Sequence, residues 1–208
     1  MDMNERGRIK LIITRFLAYF FVIFTCLLCV LFFAILLINA TKTNFQLQNK
    51  FSIIPGTNFL VNLKNAWLDA SIDIPRGMLN SLIVALTSSL LTTYFSALTA
   101  YGIFAYDFKG KKLIFTFILG IMMIPTQVNA VGFIQLAYKY NLTNKLLMLI
   151  IPSIAAPAVF FYMIQYLQAT LPMELVEAAR IDGSGEFKTF NQIVLPIMKP
   201  AVAVQLIF

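Results

Sequence analysis

Side chains that could carry out chemistry are sparse in this sequence and concentrate in one stretch near its end. The chain contains no histidine, which removes the commonest metal ligand and the commonest general base near neutral pH. Cys26 and Cys29 have the C-x-x-C spacing of redox and zinc sites, but they lie inside a long apolar run without a second pair. We expect them to be packing residues. The residues predict no catalytic group, no metal site and no bound cofactor.

Charged residues are densest between positions 172 and 200, a stretch that is typical of two short helices. Pro172 suits the first turn of the first helix, Gly183 is placed to end it in the left-handed conformation, and Ser184 can cap the second helix. In that second helix, apolar residues recur at helical spacing until Pro196 interrupts the pattern. They are Phe187, Phe190, Ile193 and Val194. The stretch is suited to docking a partner; the alternative, an amphipathic helix lying on lipid, is opposed by its acidic residues.

The composition indicates a bilayer as the solvent for the rest of the chain. Of 208 residues, 60% are hydrophobic and 12% are charged, and the mean hydropathy is +0.82. Soluble domains contain about twice that share of charged residues. The net charge of +7 is spread over short clusters between apolar runs, which favours contact with anionic membrane lipid and opposes nucleic-acid binding.

Four charge-free intervals are long enough to span a membrane, which requires about 20 apolar residues. They are residues 16–41, 77–106, 113–138 and 146–171. A fifth apolar segment begins at Ala201 and contains too few residues to cross, so we expect a chain truncated at its C-terminus. The predicted fold is an all-α, polytopic membrane helix bundle with four complete transmembrane helices, the start of a fifth, and a helix-turn-helix coupling loop in the cytoplasm.

Lys and Arg residues are more frequent on the side that includes the N-terminus, so that side is predicted to be cytoplasmic. The cluster Lys109, Lys111 and Lys112 is the strongest single indicator. The predicted divisions are a cytoplasmic N-terminus (1–15), a first transmembrane helix (16–41), an extracytoplasmic loop (42–76) and a core domain (77–208) that includes the loop 172–200.

The third interval contains three amides, Gln127, Asn129 and Gln135. Amides in hydrocarbon need hydrogen-bonding partners, so they face a bundle interior or a watery cavity. Pro125, in the same interval, is consistent with a discontinuous helix. The three amides are weak candidates for substrate binding, and hydrogen bonding between helices explains them equally well.

The loop also contains a spaced motif. Glu177-Ala178-Ala179, three residues, Gly183, nine residues, Ile193, one residue and Leu195-Pro196 follow one another without a gap. This motif resembles the EAA loop of the membrane subunits of bacterial ABC importers. Neighbouring segments, including residues 80–85 and 123–125, are similar to the carbohydrate-uptake branch, in particular to the second permease of maltose-type and multiple-sugar transporters.

The resemblance implies a multi-pass permease subunit of the bacterial cell membrane, which is not an enzyme itself. Its expected partners are a homologous second permease, ATP-binding subunits, an extracytoplasmic solute-binding protein and a sugar substrate. The loop would dock on the ATPase: Glu177 would pair with a basic residue, Ala178 and Ala179 would admit the backbone to a cleft, and Gly183 would make the turn. Ile193 completes the motif, and Leu195-Pro196 would set the angle of the next span.

The chain itself lacks the G-x-x-x-x-G-K-[ST] phosphate loop, so ATP would be hydrolysed by a partner. Two alternatives remain open. One is an ABC importer permease for a solute other than a sugar, and the other is an inactive truncated fragment of such a permease.

Overall fold

The structure is a computed structural model that describes residues 3–49 and 51–207. Those residues form helices and turns and no strand, which confirms the all-α expectation. Contacts divide the chain into two compact units, Met1–Arg76 and Gly77–Phe208. The helices of the first unit and the start of the second are α1 (Met3–Ala40), α2 (Asn44–Asn49), α3 (Phe59–Leu68) and α4 (Ile74–Ala105). Those that follow are α5 (Lys111–Ile121), α6 (Thr126–Lys139), α7 (Leu147–Ile154), α8 (Pro157–Thr170), α9 (Met173–Ile181), α10 (Glu186–Thr189), a π-helical turn (Phe190–Val194), α11 (Leu195–Ile197) and α12 (Lys199–Ile207).

Three stretches of helix are long and apolar enough to cross a membrane. They are Lys10–Ala40 within α1, Ile74–Ala105, and Leu147–Thr170, which α7 and α8 form together. A further pair, Glu186–Ile197 and Lys199–Ile207, meets the same criterion when combined but is bent by 74°. The predicted first, second and fourth intervals therefore contain spanning helices, and the protein is a multi-pass membrane protein.

The third predicted interval, residues 113–138, is not one continuous helix, as the discontinuity expected from Pro125 indicated. It is divided into α5 and α6 at a turn that Pro125 follows. Proline lacks a backbone N–H and disfavours helical backbone at the residue before it, so Ile124 turns out of the helix. At 1.5 Å per residue, the 11 residues of α5 extend only about 17 Å, so the interval is long enough to cross the hydrocarbon only as α5 and α6 together.

The fourth interval is broken more gently, between α7 and α8. Pro157 occupies the first turn of α8 and cannot donate a hydrogen bond to the carbonyl of Ser153, four residues earlier. The Thr92 hydroxyl of α4 donates to that carbonyl instead, at 2.7 Å. An unpaired carbonyl in a bilayer costs several kcal/mol, so this bond both repairs the break and joins α4 to the α7–α8 span.

The first unit closes around a buried lysine just after α1. Lys42 is 4% exposed, and its ammonium group donates to the Asn39 side chain and to the Ser52 carbonyl. Asn62 of α3 donates to the carbonyls of Ala40 and Lys42 at 2.9 and 2.8 Å. The bond to Ala40 satisfies a carbonyl of the last turn of α1, which a helix leaves without a partner.

The core of the second unit lies where α4, α8 and the charged stretch meet. Its largest fully buried side chains are Phe190, Met163, Ile164, Leu167, Met198, Val176 and Val194. The Phe190 ring packs against Tyr94 and Tyr101 of α4, with ring centroids 5.7 and 5.6 Å apart. The charged stretch is therefore anchored by its apolar side to α4 and α8.

Candidate functional site

The loop of residues 172–200 begins with α9, whose start and end follow from its residues. Pro172 has an extended backbone and lies one position before the helix, slightly earlier than the predicted first turn. At the other end, Gly183 adopts the left-handed conformation, with φ of +76°, as predicted. The amide of Gly183 donates to the Arg180 carbonyl, and that of Ser184 donates to the Ala179 carbonyl. This pair of bonds is the Schellman ending of a helix, and it requires a residue that tolerates positive φ.

The second helix of the loop starts differently from the prediction. Gly185 precedes α10 and no side chain caps the helix, so the predicted cap by Ser184 is wrong. The Ser184 hydroxyl is hydrogen-bonded to the Thr189 hydroxyl instead, at 3.1 Å.

Pro196 does not interrupt this second helix, contrary to expectation. The chain passes through a π-helical turn, in which the Leu195 amide donates to the Phe190 carbonyl five residues earlier. It then continues through Pro196 to Ile197. The 74° bend follows at Met198. In a straight continuation of the helix, the ring of Pro200 would collide with the carbonyl of Pro196, four residues earlier. The π-helical turn changes the hydrogen-bond register just before Pro196, which has no N–H to contribute.

The two faces of α9 differ sharply. Val176 and Ala179 are buried against the core, so the small side chain of Ala179 lets α9 pack closely on its own chain. The opposite face is exposed and combines acidic residues with one large apolar side chain. This exposed face consists of Glu174, Glu177, Ala178 and Ile181.

The two most exposed large apolar side chains of the loop were not singled out as surface by the sequence. Ile181 is 86% exposed and Phe187 is 67% exposed. Phe187 was predicted to share a stripe with Phe190, but Phe190 is fully buried against Tyr94 and Tyr101 of α4. Three residues turn a helix by about 300°, so the two side chains lie about 60° apart, and only that of Phe190 faces the core. Ile193 and Leu195 are half-buried, and Pro196 is exposed.

An ion pair joins the two helices of the loop across the Gly183 turn. Arg180 Nε donates to Glu186 Oε1 at 2.7 Å, and Tyr101 of α4 donates its hydroxyl to Glu186 Oε2 at 2.8 Å. The hydrogen bond from Arg180 lowers the pKa of Glu186 from 4.5 to about 2. The same bond raises the pKa of Arg180. Both groups are therefore ionised throughout the physiological range.

Comparison with known proteins identifies what this loop and bundle belong to. Residues 93–208, more than half of the chain, match the family described as the binding-protein-dependent transport system inner membrane component. The chain belongs to this family. The match includes the end of α4, all of α5–α12 and the whole loop, so the predicted membership among ABC importer permeases is confirmed.

Individual relatives of this family are similar over large parts of the chain. The arabinooligosaccharides transport system permease protein AraQ of Bacillus subtilis is 38% identical over 128 residues, which is 62% of this chain and 45% of AraQ. The melibiose/raffinose/stachyose import permease protein MelC of the same organism is 33% identical over 173 residues, 82% of this chain and 62% of MelC. The chain thus spans about half the length of such relatives.

One chain in the crystal structure of a bacterial ABC transporter involved in the import of the acidic polysaccharide alginate has the same fold. Its TM-score is 0.75 at 17% identity, and the similarity covers 100% of this chain and 70% of the other. At this low identity, the similarity shows that the two chains share a fold and shows nothing about the solute of the present chain.

The amides proposed for substrate binding lie on α6 of the family domain, and all three are exposed. A helix turns by 100° per residue, so Gln127 and Gln135 lie within about 80° of each other, whereas Asn129 lies about 160° from Gln127. The structure therefore groups two of the three amides on one side of α6 and separates the third. Their role in binding stays a prediction.

Proposed function

We propose that this chain forms the membrane-spanning permease part of an ATP-driven, binding-protein-dependent importer for a sugar or oligosaccharide. The family membership and the names of relatives such as AraQ and MelC support this function. In the proposal, the spanning helices form part of the translocation path beside a homologous second permease. A solute-binding protein delivers the sugar from outside, and separate subunits hydrolyse ATP.

The observation that carries the proposal is the exposed face of the loop. Large apolar side chains that project from a charged surface segment are typical of protein contacts. Ile181 and Phe187 are the apolar anchors, and Glu174 and Glu177 provide negative charge beside them. We infer that this face docks on the ATP-binding subunit, with Ile181 and Phe187 buried by the partner and Glu177 paired with a basic residue. Gly183, Leu195 and Pro196 shape the loop that presents this face.

Substitution of Ile181 by glutamate tests this docking. We expect the variant permease to insert normally but to lose the ATP-binding subunits when the complete importer is purified in detergent, because a buried unpaired charge weakens an interface by several kcal/mol. The matched control is Ile54→Glu, which introduces the same change at another strongly exposed isoleucine, in the first unit. Retention of the ATP-binding subunits by Ile181→Glu, at the level of Ile54→Glu, would overturn the docking assignment.

The orientation of the chain can be tested independently. We propose that residues 1–15, 107–112 and 172–200 are cytoplasmic and that residues 42–76 are outside. Single cysteines at Lys109 and Lys188, in a chain whose two native cysteines are replaced by serine, should react with a membrane-impermeant maleimide only after the membrane is opened. Labelling of intact cells at either position would reverse the topology.

The solute class is the finer part of the proposal. One relative suggests a second candidate: the sn-glycerol-3-phosphate transport system permease protein UgpE of Escherichia coli is 32% identical over 156 residues, 73% of this chain. Uptake by the complete importer of radiolabelled oligosaccharide and, separately, of radiolabelled glycerol 3-phosphate distinguishes the two. Uptake of glycerol 3-phosphate without uptake of oligosaccharide would replace the sugar by a phosphorylated polyol.

We propose Gln127 and Gln135 as the amides of α6 that contribute to the path. Amides are suited to hydrogen-bonding sugar hydroxyls. Substitution of both by leucine should raise the KM for uptake without loss of the ATP-binding subunits, and an unchanged KM would remove them from the path.

A further inference from the structure

Polar contacts link the loop to α4 at two places: the Tyr94 hydroxyl donates to the Asn191 side chain at 3.2 Å, and a cluster of bonds lies at the C-terminal end of that helix. Arg180 of α9 donates through Nε to Glu186 of α10 at 2.7 Å. Its terminal nitrogen also reaches the Ala105 carbonyl, the last of α4, at 3.4 Å. Glu186 accepts the Tyr101 hydroxyl on its other oxygen at 2.8 Å. We call Arg180, Glu186 and Tyr101 the α4 clamp.

An aromatic ring supports the clamp from the side. The Arg180 guanidinium lies over the Tyr106 ring, 5.1 Å from its centroid, a distance at which cation–π attraction is effective. Tyr101 is almost fully buried, so its hydroxyl position is fixed by the surrounding core. The clamp thus has one rigid end, in the core, and one end at the surface of the loop.

The planar guanidinium makes this arrangement directional. Arginine presents several N–H groups in a fixed fork, so it can contact two acceptors on different elements at once. Apolar packing of the loop, by Val176 and Phe190, is not directional in this way. A shift of α9 along the surface of the core can therefore preserve much of the apolar contact, but it must either break the bonds of the clamp or displace the end of α4.

We propose that Arg180, Glu186 and Tyr101 are positioning residues that transmit the movement of the docked loop to α4. The inference rests on the proposed function, because it assumes that the ATP-binding subunits move the loop. In this account, the exposed face of α9 receives the movement, and the clamp passes it to a membrane-spanning helix. Loss of the clamp uncouples ATP hydrolysis from uptake while the subunits stay bound.

The test compares uptake with ATP hydrolysis in the complete importer reconstituted into liposomes, with its solute-binding protein present. Tyr101→Phe removes only the hydroxyl from a buried ring, and Arg180→Ala removes the whole fork. Tyr162→Phe, on α8, is the matched control for loss of a hydroxyl. The quantity measured is moles of solute imported per mole of ATP hydrolysed, which does not depend on how much importer assembles.

We expect Tyr101→Phe to lower this ratio by about tenfold or more, the effect of one hydrogen bond to a charged group. Arg180→Ala should lower it at least as far, and Arg180→Lys should restore only part of it, because lysine retains the charge but not the fork. Tyr162→Phe should leave the ratio unchanged.

The possible failures are distinguishable. If unmodified importer shows no solute-dependent ATP hydrolysis and no uptake, the proposed function itself fails. If unmodified importer couples the two activities and both Tyr101→Phe and Arg180→Ala retain its ratio, only the clamp is overturned. A variant in which uptake and hydrolysis fall together, at an unchanged ratio, has a structural defect and also contradicts a role in transmission.

Discussion

Replacing Gly183 by alanine should loosen the loop by an amount that the backbone geometry sets. Gly183 has φ of +76°, and a Cβ added there meets no atom within 4 Å. The cost is therefore that of placing an L-residue in the left-handed region, about 1–2 kcal/mol. A free-energy change of that size alters the equilibrium between the hydrogen-bonded turn at Gly183 and its locally opened form by about fivefold to thirtyfold.

Gly185, two residues later, provides the matched control. Its backbone, with φ of −67° and ψ of 148°, is open to any L-residue, and an added Cβ again meets no atom within 4 Å. Gly185→Ala should have no destabilising effect, and reduced freedom of the unfolded chain can make it slightly stabilising, by about 0.4–1 kcal/mol.

Hydrogen exchange measured by mass spectrometry on a peptide that covers the turn reads this difference directly. The amides of Gly183 and Ser184 donate the two bonds that end α9, so their exchange reports opening of the turn. We expect Gly183→Ala to accelerate their exchange by about fivefold to thirtyfold and Gly185→Ala to leave it unchanged. Equal exchange in the two variants would refute the reasoning that the turn depends on left-handed backbone.

Three further outcomes are expected from the packing and charges of the described residues. Phe190→Ala should destabilise the protein in detergent by about 3 kcal/mol, because it empties a fully buried site, whereas Phe187→Ala should change the unfolding free energy little; equal effects would contradict the assigned burial. Gly56→Ala should increase proteolysis of the segment after α1, because an added Cβ collides with the backbone of Thr41. Gly77→Ala, in open space within α4, should not increase proteolysis. Resistance of both variants to the protease would contradict the collision. The pKa of Glu186 is lowered from 4.5 to about 2, so its ion pair should stabilise the fold fully above pH 4.5 and lose that effect as the pH falls through 2. The difference in melting temperature between native protein and Glu186→Gln should therefore shrink over this pH range. A constant difference would contradict the ion pair.

The spans and the turn could be predicted from the sequence because each has a local cause. Charge-free length predicts α1, α4 and the α7–α8 span. The left-handed turn at Gly183 follows from a glycine placed just after a short helical pattern. Pro125 also signalled a break, but its position could not tell whether a neighbouring helix would compensate, as Thr92 of α4 does for the break before Pro157.

Features that depend on distant contacts could not be predicted in this way. The pairing of Arg180 with Glu186 requires the exact path of the turn between them, and the Tyr101 contact joins positions 85 residues apart. The burial of Ala179 and the exposure of Phe187 depend on how the loop is rotated against the core. The π-helical turn before Pro196 moved the break beyond the position that the proline alone indicated.

Photocrosslinking from Ile181 tests the central claim, that the loop couples this permease to an ATP-hydrolysing partner, most directly. A photoreactive amino acid placed at Ile181 in the complete, membrane-bound importer should form a crosslink to the ATP-binding subunit, since this side chain is 86% exposed on the proposed docking face. The same amino acid at Ile54 should not. We predict a crosslink to the ATP-binding subunit from Ile181 and none from Ile54. The absence of a crosslink from Ile181, or an equal crosslink from Ile54, would contradict the account.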